Sequence, residues 1–222
     1  MNQQEVFNIA IDGPAGAGKS TIAKLVAKQL DYIYIDTGAM YRAVAWKTLK
    51  SGTEITDGRI LAVSENIDIS LSLHTDGGVV VVVDGAEVTT ELRTPEVTAI
   101  VSQVARLAPV REKMVILQRR IAERGGIVMD GRDITSHVLP DADIKIFMTA
   151  SIEERARRRF IEMQEKGYKA DIKEIEKEIA DRDKTDSERE VSPLIKTEDS
   201  VLLDTSNMTV DEVVAEIMKM CR

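Results

Sequence analysis

Cysteine is nearly absent from this chain, since Cys221 is the only one among 222 residues. A single cysteine rules out a framework of disulfides within the sequence and is typical of a reducing compartment, so we expect a cytoplasmic protein. Long apolar runs are also missing: none approaches the roughly 20 residues of a membrane-spanning helix, so we expect no membrane partner. The first residues, Met-Asn-Gln-Gln-Glu, lack the basic and apolar regions of a secretory signal, and we expect none.

Positive charge is in deficit as well. The 30 lysines and arginines are outnumbered by 38 aspartates and glutamates, for a net charge of −8. This balance argues against non-specific binding of nucleic acids, which needs a basic surface. An anionic ligand would have to meet a local concentration of cations, and the sequence provides one at Arg155, Arg157, Arg158 and Arg159.

The remaining pattern is that of a globular α/β protein. Hydrophobic periodicity and capping residues predict strands that alternate with helices. The strands are expected at 6–12, 32–36, 127–129, 144–148 and 201–203, and the helices at 18–30, 38–50, 95–107, 109–124, 151–167 and from about 171 and 209. Such alternation predicts a parallel sheet covered on both faces, with ligands beyond the carboxyl ends of the strands.

The segment 67–94 interrupts this alternation. Residues 67–73 alternate between apolar and polar, Val79 to Val83 are β-branched throughout, and turn signals stand at 76–78 and 84–85. We expect a small antiparallel β insert here, which forms a satellite subdomain.

The most informative motif is a glycine-rich turn between the first strand and the first helix. It has the spacing of a phosphate-binding loop, in which backbone N–H groups converge on a polyphosphate at a helix N-terminus. Lys19 can reach the β- and γ-phosphates, and the Ser20 hydroxyl can ligate Mg²⁺. The loop consists of Gly13, Pro14, Ala15, Gly16, Ala17, Gly18, Lys19, Ser20 and Thr21.

Three further groups of residues carry potential chemistry, and each has a plainer alternative. Residues 36–42 offer groups for a base and a phosphate, or form only a helix cap with core packing. Asp130, after a buried strand, resembles the second acidic element of phosphate-loop enzymes, with Arg132 as a bidentate donor, or both belong to a salt-bridged turn. Arg155, Arg158 and Arg159 share a helix face, and Arg182, Asp186 and Arg189 continue an apolar stripe. Either set is a cleft-facing surface or simply solvated.

Together these groups suggest phosphoryl transfer between two bound nucleotides. Lysine, arginines and Mg²⁺ would neutralise the charge that spreads over the transferring group. A closing lid would exclude water, since water would otherwise hydrolyse ATP, and the arginine-rich region 155–170 is the candidate.

The chain resembles the bacterial cytidylate kinases, a family of nucleoside monophosphate kinases within the P-loop NTPase superfamily. The resemblance covers essentially all of residues 5–218. It is carried by the segments Ile11–Lys19, Asp36–Arg42, Ser102–Ala105, Val110–Arg111, Asp130–Asp133, Glu153–Arg155, Gln164–Gly167 and Arg182–Arg189.

The resemblance implies one cytidylate kinase domain over residues 1–222, with the fold of these kinases and a small antiparallel insert. It implies three regions. The core is 1–37, 95–150 and 190–222, the monophosphate-binding region is about 38–94 with the insert at about 67–94, and the lid is about 151–189. It also suggests a monomer.

The implied reaction transfers the γ-phosphoryl group of ATP, with Mg²⁺, to CMP or dCMP. By resemblance, Lys19, Arg132, Arg158 and Arg159 serve catalysis, with the last two in the lid. The residues 13–21 bind ATP, and Ser20 serves the metal. The acceptor would be bound by Thr37, Tyr41, Arg42, Arg111, Asp130, Arg132, Asp133, Arg182, Asp186 and Arg189. Among these, Arg42, Arg111 and Arg132 match the positions that grip the monophosphate, while Arg132 and Asp133 would help to read cytosine.

Other readings stay open. A related kinase could act on UMP, AMP or shikimate, although a site built for cytosine should disfavour uracil. A phosphate-loop switch or a non-catalytic nucleotide-binding module would belong to another class, but no Asn-Lys-x-Asp guanine motif is present. Thr37 stands where relatives often have serine, so the ligand geometry there is less fixed. Cys221, His74 and His137 lie outside every motif and receive no role.

Overall fold

The computed structural model describes residues 6–52, 54–73, 79–165 and 167–221. The chain divides into two compact units, the first formed by residues 1–34 and 124–222 and the second by 35–123. The predicted division into core, monophosphate-binding region and lid stays a prediction. None of the described helices combines the length and apolar character needed to cross a membrane.

The described elements alternate much as the sequence predicts. The strands are β1 Asn8–Asp12, β2 Ile33–Asp36, β3 Ile69–Leu73, β4 Val79–Val83, β5 Ala86–Glu87, β6 Ile127–Gly131, β7 Ile144–Thr149 and β8 Val201–Asp204. The helices are α1 Lys19–Leu30, α2 Thr37–Lys50, α3 Asp57–Asn66, α4 Pro95–Ala105, α5 Ala108–Ala122, α6 Ile152–Glu165, α7 Ile172–Glu188 and α8 Val210–Met220.

A five-stranded sheet in the order β2-β6-β1-β7-β8 forms the centre of the first unit. Strand β1 pairs in parallel with β6 and β7, and β8 pairs in parallel with β7, so the expected parallel sheet is confirmed. Ile11 in β1 and Ile146 in β7 are fully buried, together with Val26 of α1 and Ile217 of α8. Because the central strands are apolar on both faces, the sheet needs helices on both sides.

The second unit contains α2 to α5 and the three-stranded antiparallel sheet β3-β4-β5. Val81 and Val83 of β4 point into a core shared with Met40, Val44 and Met114. The predicted β insert is therefore confirmed, and the left-handed backbone of Asp84 and Gly85 forms its second turn. The predicted turn at 76–78 and His74 lie outside the described residues.

Some local expectations are wrong. No sequence pattern predicted α3, which begins where Thr56 accepts a hydrogen bond from the Arg59 N–H. The short π-helix Ile134–Val138 was also not predicted. A capping box is half formed at Ser151, because its hydroxyl accepts the Glu154 N–H while its own N–H donates to Ser206. At α8, Thr209 and Glu212 form the complete box.

Candidate active site

The phosphate loop connects β1 to α1 in the first unit, and its shape depends on glycine. A Cβ atom on Gly13 would lie 1.9 Å from the Met148 carbonyl oxygen of β7, so no side chain fits there. Gly18 has a φ of 87°, in the left-handed region, and directly precedes the first residue of α1. The loop therefore leads directly into the N-terminus of α1, where backbone N–H groups can bind an anion.

Lys19, the first residue of α1, is buried under this loop. Its side-chain nitrogen donates a 2.8 Å hydrogen bond to the Pro14 carbonyl oxygen across the loop. Burial, and next the charge of Arg132, lower the pKa of Lys19 to about 7, although Asp130 and Asp12 act in the opposite direction. A bound polyphosphate would place negative charge beside the Lys19 side chain and so favour its charged form.

Ser20 and Asp130 meet at the carboxyl end of β6. The Ser20 hydroxyl donates to one carboxylate oxygen of Asp130 at 3.1 Å, and the Tyr34 hydroxyl donates to the other at 2.7 Å. A hydroxyl beside an acidic group, next to a phosphate loop, fits Mg²⁺ held partly by phosphate and water. Among the described residues, no group of three or more His, Cys, Asp or Glu side chains forms an all-protein metal cage.

Asp12, at the end of β1, is a site residue that the sequence analysis missed. Its carboxylate accepts hydrogen bonds from the N–H groups of Ile134 and Thr135 and from the Thr135 hydroxyl, at 2.7–2.9 Å. Burial raises the pKa of Asp12 and outweighs these hydrogen bonds, which act to lower it. Asp12 therefore fixes the start of the π-helix, which directly follows Asp133. In the sequence, the one feature that marks Asp12 is that a carboxylate ends an apolar strand.

An arginine cluster lies beyond the end of β6 and along the last turns of α7. Asp186 is its centre: Arg132 Nε donates to it at 2.9 Å, and Arg182 and Arg189 each approach to 4.0 Å. The second carboxylate of the cluster, Asp133, lies 3.5 Å from Arg189. The members are Arg132, Asp133, Arg182, Asp186 and Arg189, so three guanidinium groups face two carboxylates.

The charge of this cluster acts on its own members and on the loop. Burial raises the pKa of Asp186, but the charges of Arg132, Arg182 and Arg189 outweigh it and hold the pKa below its usual value. Arg132 and Arg182 also lower the pKa of Lys19, so the charge of the cluster reaches the phosphate loop. The structure thus brings these five predicted residues of the first unit together, close enough to the phosphate loop for their charge to act on Lys19.

The arginines of α6 differ in what they contact. Arg158 donates to the Ala17 carbonyl oxygen at 3.3 Å, to the Thr205 carbonyl oxygen at 2.7 Å and to Glu154 at 2.8 Å. Arg159 is half-buried, and its Nε has no hydrogen-bond partner within the described part of the chain. Arg157 is exposed and pairs with Glu154 at 2.7 Å, which fits its predicted place off the shared face.

The second unit holds the other predicted acceptor residues. Arg111 is 2% exposed, donates to the Ala105 carbonyl oxygen at 3.0 Å and stands over the Tyr41 ring at 5.3 Å from its centroid. Thr37 is buried at the start of α2. Arg42 lies along the same helix turn, since a Cβ on Gly38 would be 3.1 Å from its Nη1. The arrangement is a buried cation on an aromatic ring beside a helix N-terminus.

Asp36 organises this helix start. It caps α2 by accepting the Ala39 N–H at 3.0 Å and pairs with Arg93 at 2.7 Å. The structure therefore supports part of the plain alternative for residues 36–42, because capping and core packing are both present. Neither function of the segment excludes the other.

Comparisons with known proteins agree on one family. The family model described as cytidylate kinase matches residues 9–222. Proteins named cytidylate kinase from Bacillus thuringiensis (strain Al Hakam) and Bacillus cereus (strain AH187) are each 51% identical over 213 residues, which cover 96% of this chain and 94% of theirs. Among solved structures, an uncharacterized protein from Eubacterium ventriosum has the same fold, with a TM-score of 0.54, 15% identity and 97% coverage of both chains.

Proposed function

Because the chain belongs to the cytidylate kinase family, we propose that the site described above transfers the γ-phosphoryl group of ATP to CMP or dCMP. The products are ADP and CDP or dCDP. The observation that carries the proposal is the buried Lys19 under a phosphate loop, hydrogen-bonded to Pro14 and within reach of the charge of Arg132. A loop for the donor and a separate arginine cluster are what transfer between two phosphorylated ligands requires.

The donor side uses the loop and its two flanking polar groups. Backbone N–H groups of the loop at the N-terminus of α1 would bind the phosphates of ATP, and Lys19 would reach the β- and γ-phosphates. Ser20 would ligate Mg²⁺, and Asp130 would help to hold it there, since the two side chains already share a hydrogen bond. When bound, the metal neutralises charge on the β- and γ-phosphate oxygens.

The transferring phosphoryl group is stabilised by fixed cations rather than by covalent chemistry. Lys19 and Arg132 supply charge at the donor and acceptor ends, and the family resemblance adds Arg158 and Arg159 from α6. Arg159 suits this role best on its contacts, since its Nε is buried without a partner among the described residues. Arg158 is held by the loop and by Thr205, so its role includes shaping the donor side.

The acceptor roles follow from residues that match the family. Arg42, Arg111 and Arg132 would bind the monophosphate, while Tyr41 would pack on the base and Thr37 would lie near it. Arg182, Asp186 and Arg189 would contact the nucleoside and its sugar hydroxyls. Arg132 and Asp133 together offer donors and an acceptor that complement the cytosine edge.

We also propose that the protein is a cytoplasmic monomer. Its region 151–189 would close as a lid over the bound nucleotides to exclude water.

The experiment that tests this function is ADP release from ATP and Mg²⁺ with a panel of acceptors: CMP, dCMP, UMP, AMP, GMP, dTMP and shikimate. We expect strong stimulation by CMP and dCMP, weak stimulation by UMP and none by the others. Strong stimulation by another acceptor would keep the phosphoryl chemistry and reject the cytosine site. No stimulation by any acceptor would favour a nucleotide switch or a binding module.

A further inference from the structure

One ion pair in the first unit holds both polar backbone groups of a phosphate-loop residue. The Ala15 N–H donates to Asp183 Oδ1 at 3.1 Å, and the Ala15 carbonyl oxygen accepts from Arg155 Nη1 at 2.9 Å. The same Nη1 lies 2.6 Å from Asp183 Oδ2. The three residues therefore close a ring of hydrogen bonds, which we name the loop clamp.

We propose that Arg155 and Asp183 are positioning residues that preorganise the phosphate loop for ATP. This inference rests on the proposed function, since it assigns two more residues to the same donor site. Neither side chain needs to contact ATP in this role. They act through the backbone of Ala15, whose orientation determines how the loop presents its N–H groups.

The clamp is built from mostly buried side chains. The Arg155 side chain is 5% exposed and that of Asp183 is 20% exposed, so water screens the pair weakly. Arg155 is further fixed because its Nε donates to the Ala150 carbonyl oxygen at 2.9 Å, just before α6 begins. Charge-assisted hydrogen bonds in such surroundings are stronger than neutral ones, which makes the pair suited to hold a loop.

The direction of the loop carbonyl groups explains what the clamp would achieve. In a phosphate-binding loop the N–H groups converge on the anion, and the carbonyl oxygens must point elsewhere and find other donors. Arg155 supplies a donor for Ala15, and Arg158 supplies one for Ala17 at 3.3 Å. Gly16 between them lies so close to α6 that an added Cβ would be 3.2 Å from the Arg155 Cβ. Helix α6 therefore packs against the outer side of the loop.

Asp183 also connects the loop to the arginine cluster. It follows Arg182 directly on α7 and precedes Asp186, the centre of the cluster, by one helical turn. Holding Asp183 on Ala15 therefore fixes the cluster relative to the loop. Small losses of such alignment slow a reaction between two bound ligands even when both remain bound.

The test compares variants of Asp183 with a matched control on the same helix. Asp183→Ala should weaken ATP binding about tenfold and lower kcat at saturating ATP about tenfold, with the KM for CMP within about twofold. Asp183→Asn keeps an oxygen for the Ala15 N–H and should lie between Asp183→Ala and the wild type. The control is Asp181→Asn, because Asp181 is exposed and its side chain has no described partner; it should match the wild type.

ATP binding is measured by calorimetry without any acceptor, so the test does not depend on the cytosine assignment. In a double-mutant cycle, Arg155→Ala and the double variant should bind ATP about as weakly as Asp183→Ala, because either change breaks the same ring. Wild-type ATP affinity in Asp183→Ala and Asp183→Asn would overturn the clamp. It would also be overturned if the loss of ATP affinity in the double variant equalled the product of the losses in Asp183→Ala and Arg155→Ala. Loss of thermal stability in Asp183→Ala with normal ATP binding in Asp183→Asn would mean a structural role only and would also overturn it.

Discussion

Tyr34 and Asp130 are joined by a 2.7 Å hydrogen bond between the phenol group and one carboxylate oxygen. The second oxygen accepts from Ser20 at 3.1 Å, so the two hydroxyl groups fix the plane of the carboxylate. Tyr34 lies in β2 and Asp130 in β6, which are neighbours in the parallel sheet. A tyrosine that the sequence analysis left unassigned thus orients the acidic residue of the proposed magnesium site.

Tyr34→Phe should weaken the response to Mg²⁺ without destroying the site. Removal of the phenol donor weakens the hold on the Asp130 carboxylate. We therefore expect the Mg²⁺ concentration for half-maximal rate to rise about tenfold, in the range of lost outer-shell contacts. Initial rates against free Mg²⁺ measure this at saturating nucleotides. Tyr32→Phe is the control, since the hydrogen bond described for that hydroxyl is the one it accepts from the Phe7 N–H at 3.3 Å. Equal Mg²⁺ profiles for both variants would remove Tyr34 from the site.

Lys19 should take up a proton when ATP binds at mildly alkaline pH. Burial and the charge of Arg132 hold its pKa at about 7, so the side chain is largely neutral at pH 8 until phosphate arrives. Calorimetric titrations in buffers of different ionisation enthalpy should show uptake of about one proton by the wild type and none by Lys19→Met. Lys19→Met should keep its fold and lose most activity. Uptake unchanged by the substitution would assign the proton to another group.

The same shift predicts how stability depends on pH in the free protein. The pKa of Lys19 is lower in the folded state than in the unfolded chain, so the unfolded chain binds more protons between about pH 7 and 10. The free energy of unfolding should therefore rise with pH in this window, by about 1 kcal/mol or more relative to Lys19→Met. Denaturant unfolding at pH 7 and pH 9 checks this. A constant difference between the two proteins would show that Lys19 titrates normally.

The sequence predicted the parallel sheet and the phosphate loop because both follow local rules. A run of apolar residues such as Ile127–Val128–Met129 indicates a strand that is buried on both faces, as β6 is. Glycines in the loop indicate a backbone with positive φ, as Gly13 and Gly18 have. The stripe of Arg182, Asp186 and Arg189 was likewise readable from helical spacing, and the cluster forms as that spacing implies.

The missed residues have in common that their partners are distant in the sequence. Asp12 binds Thr135 across 123 positions, and Ala15 binds Asp183 across 168. No local pattern marks such a pair, since each aspartate also suits a turn or a solvated helix face. Helix α3 was missed for a different reason, because its few apolar residues give a weak period.

Arg132→Ala and Arg182→Ala should impair the use of CMP far more than the binding of ATP. Both arginines face Asp186, at 2.9 Å and 4.0 Å, in the cluster assigned to the acceptor. We expect the KM for CMP to rise by about tenfold or more, as for loss of a charge-assisted contact, with ATP affinity within about threefold. Steady-state kinetics and ATP calorimetry separate the two. An equal loss for both nucleotides would show that the acceptor site is misplaced.

Arg159 and Arg158 should differ in which kinetic constant they change. Arg159 has a buried Nε without a hydrogen-bond partner in the described structure, which leaves this donor for the transferring phosphoryl group. Arg159→Ala should therefore lower kcat about 100-fold while ATP binding stays close to that of the wild type. Arg158 already holds Ala17 and Thr205, so Arg158→Ala should weaken ATP binding as well.

Arg157→Ala is the matched control for both arginine variants, because Arg157 lies on the same helix but is exposed, and its described ion pair is with Glu154. Single-turnover rates with bound ATP and CMP isolate the chemical step from product release. A normal single-turnover rate in Arg159→Ala would remove this arginine from the reaction. A slow step in Arg158→Ala with normal ATP affinity would instead make Arg158 the residue that acts on the transition state, since its loop contacts would then be dispensable.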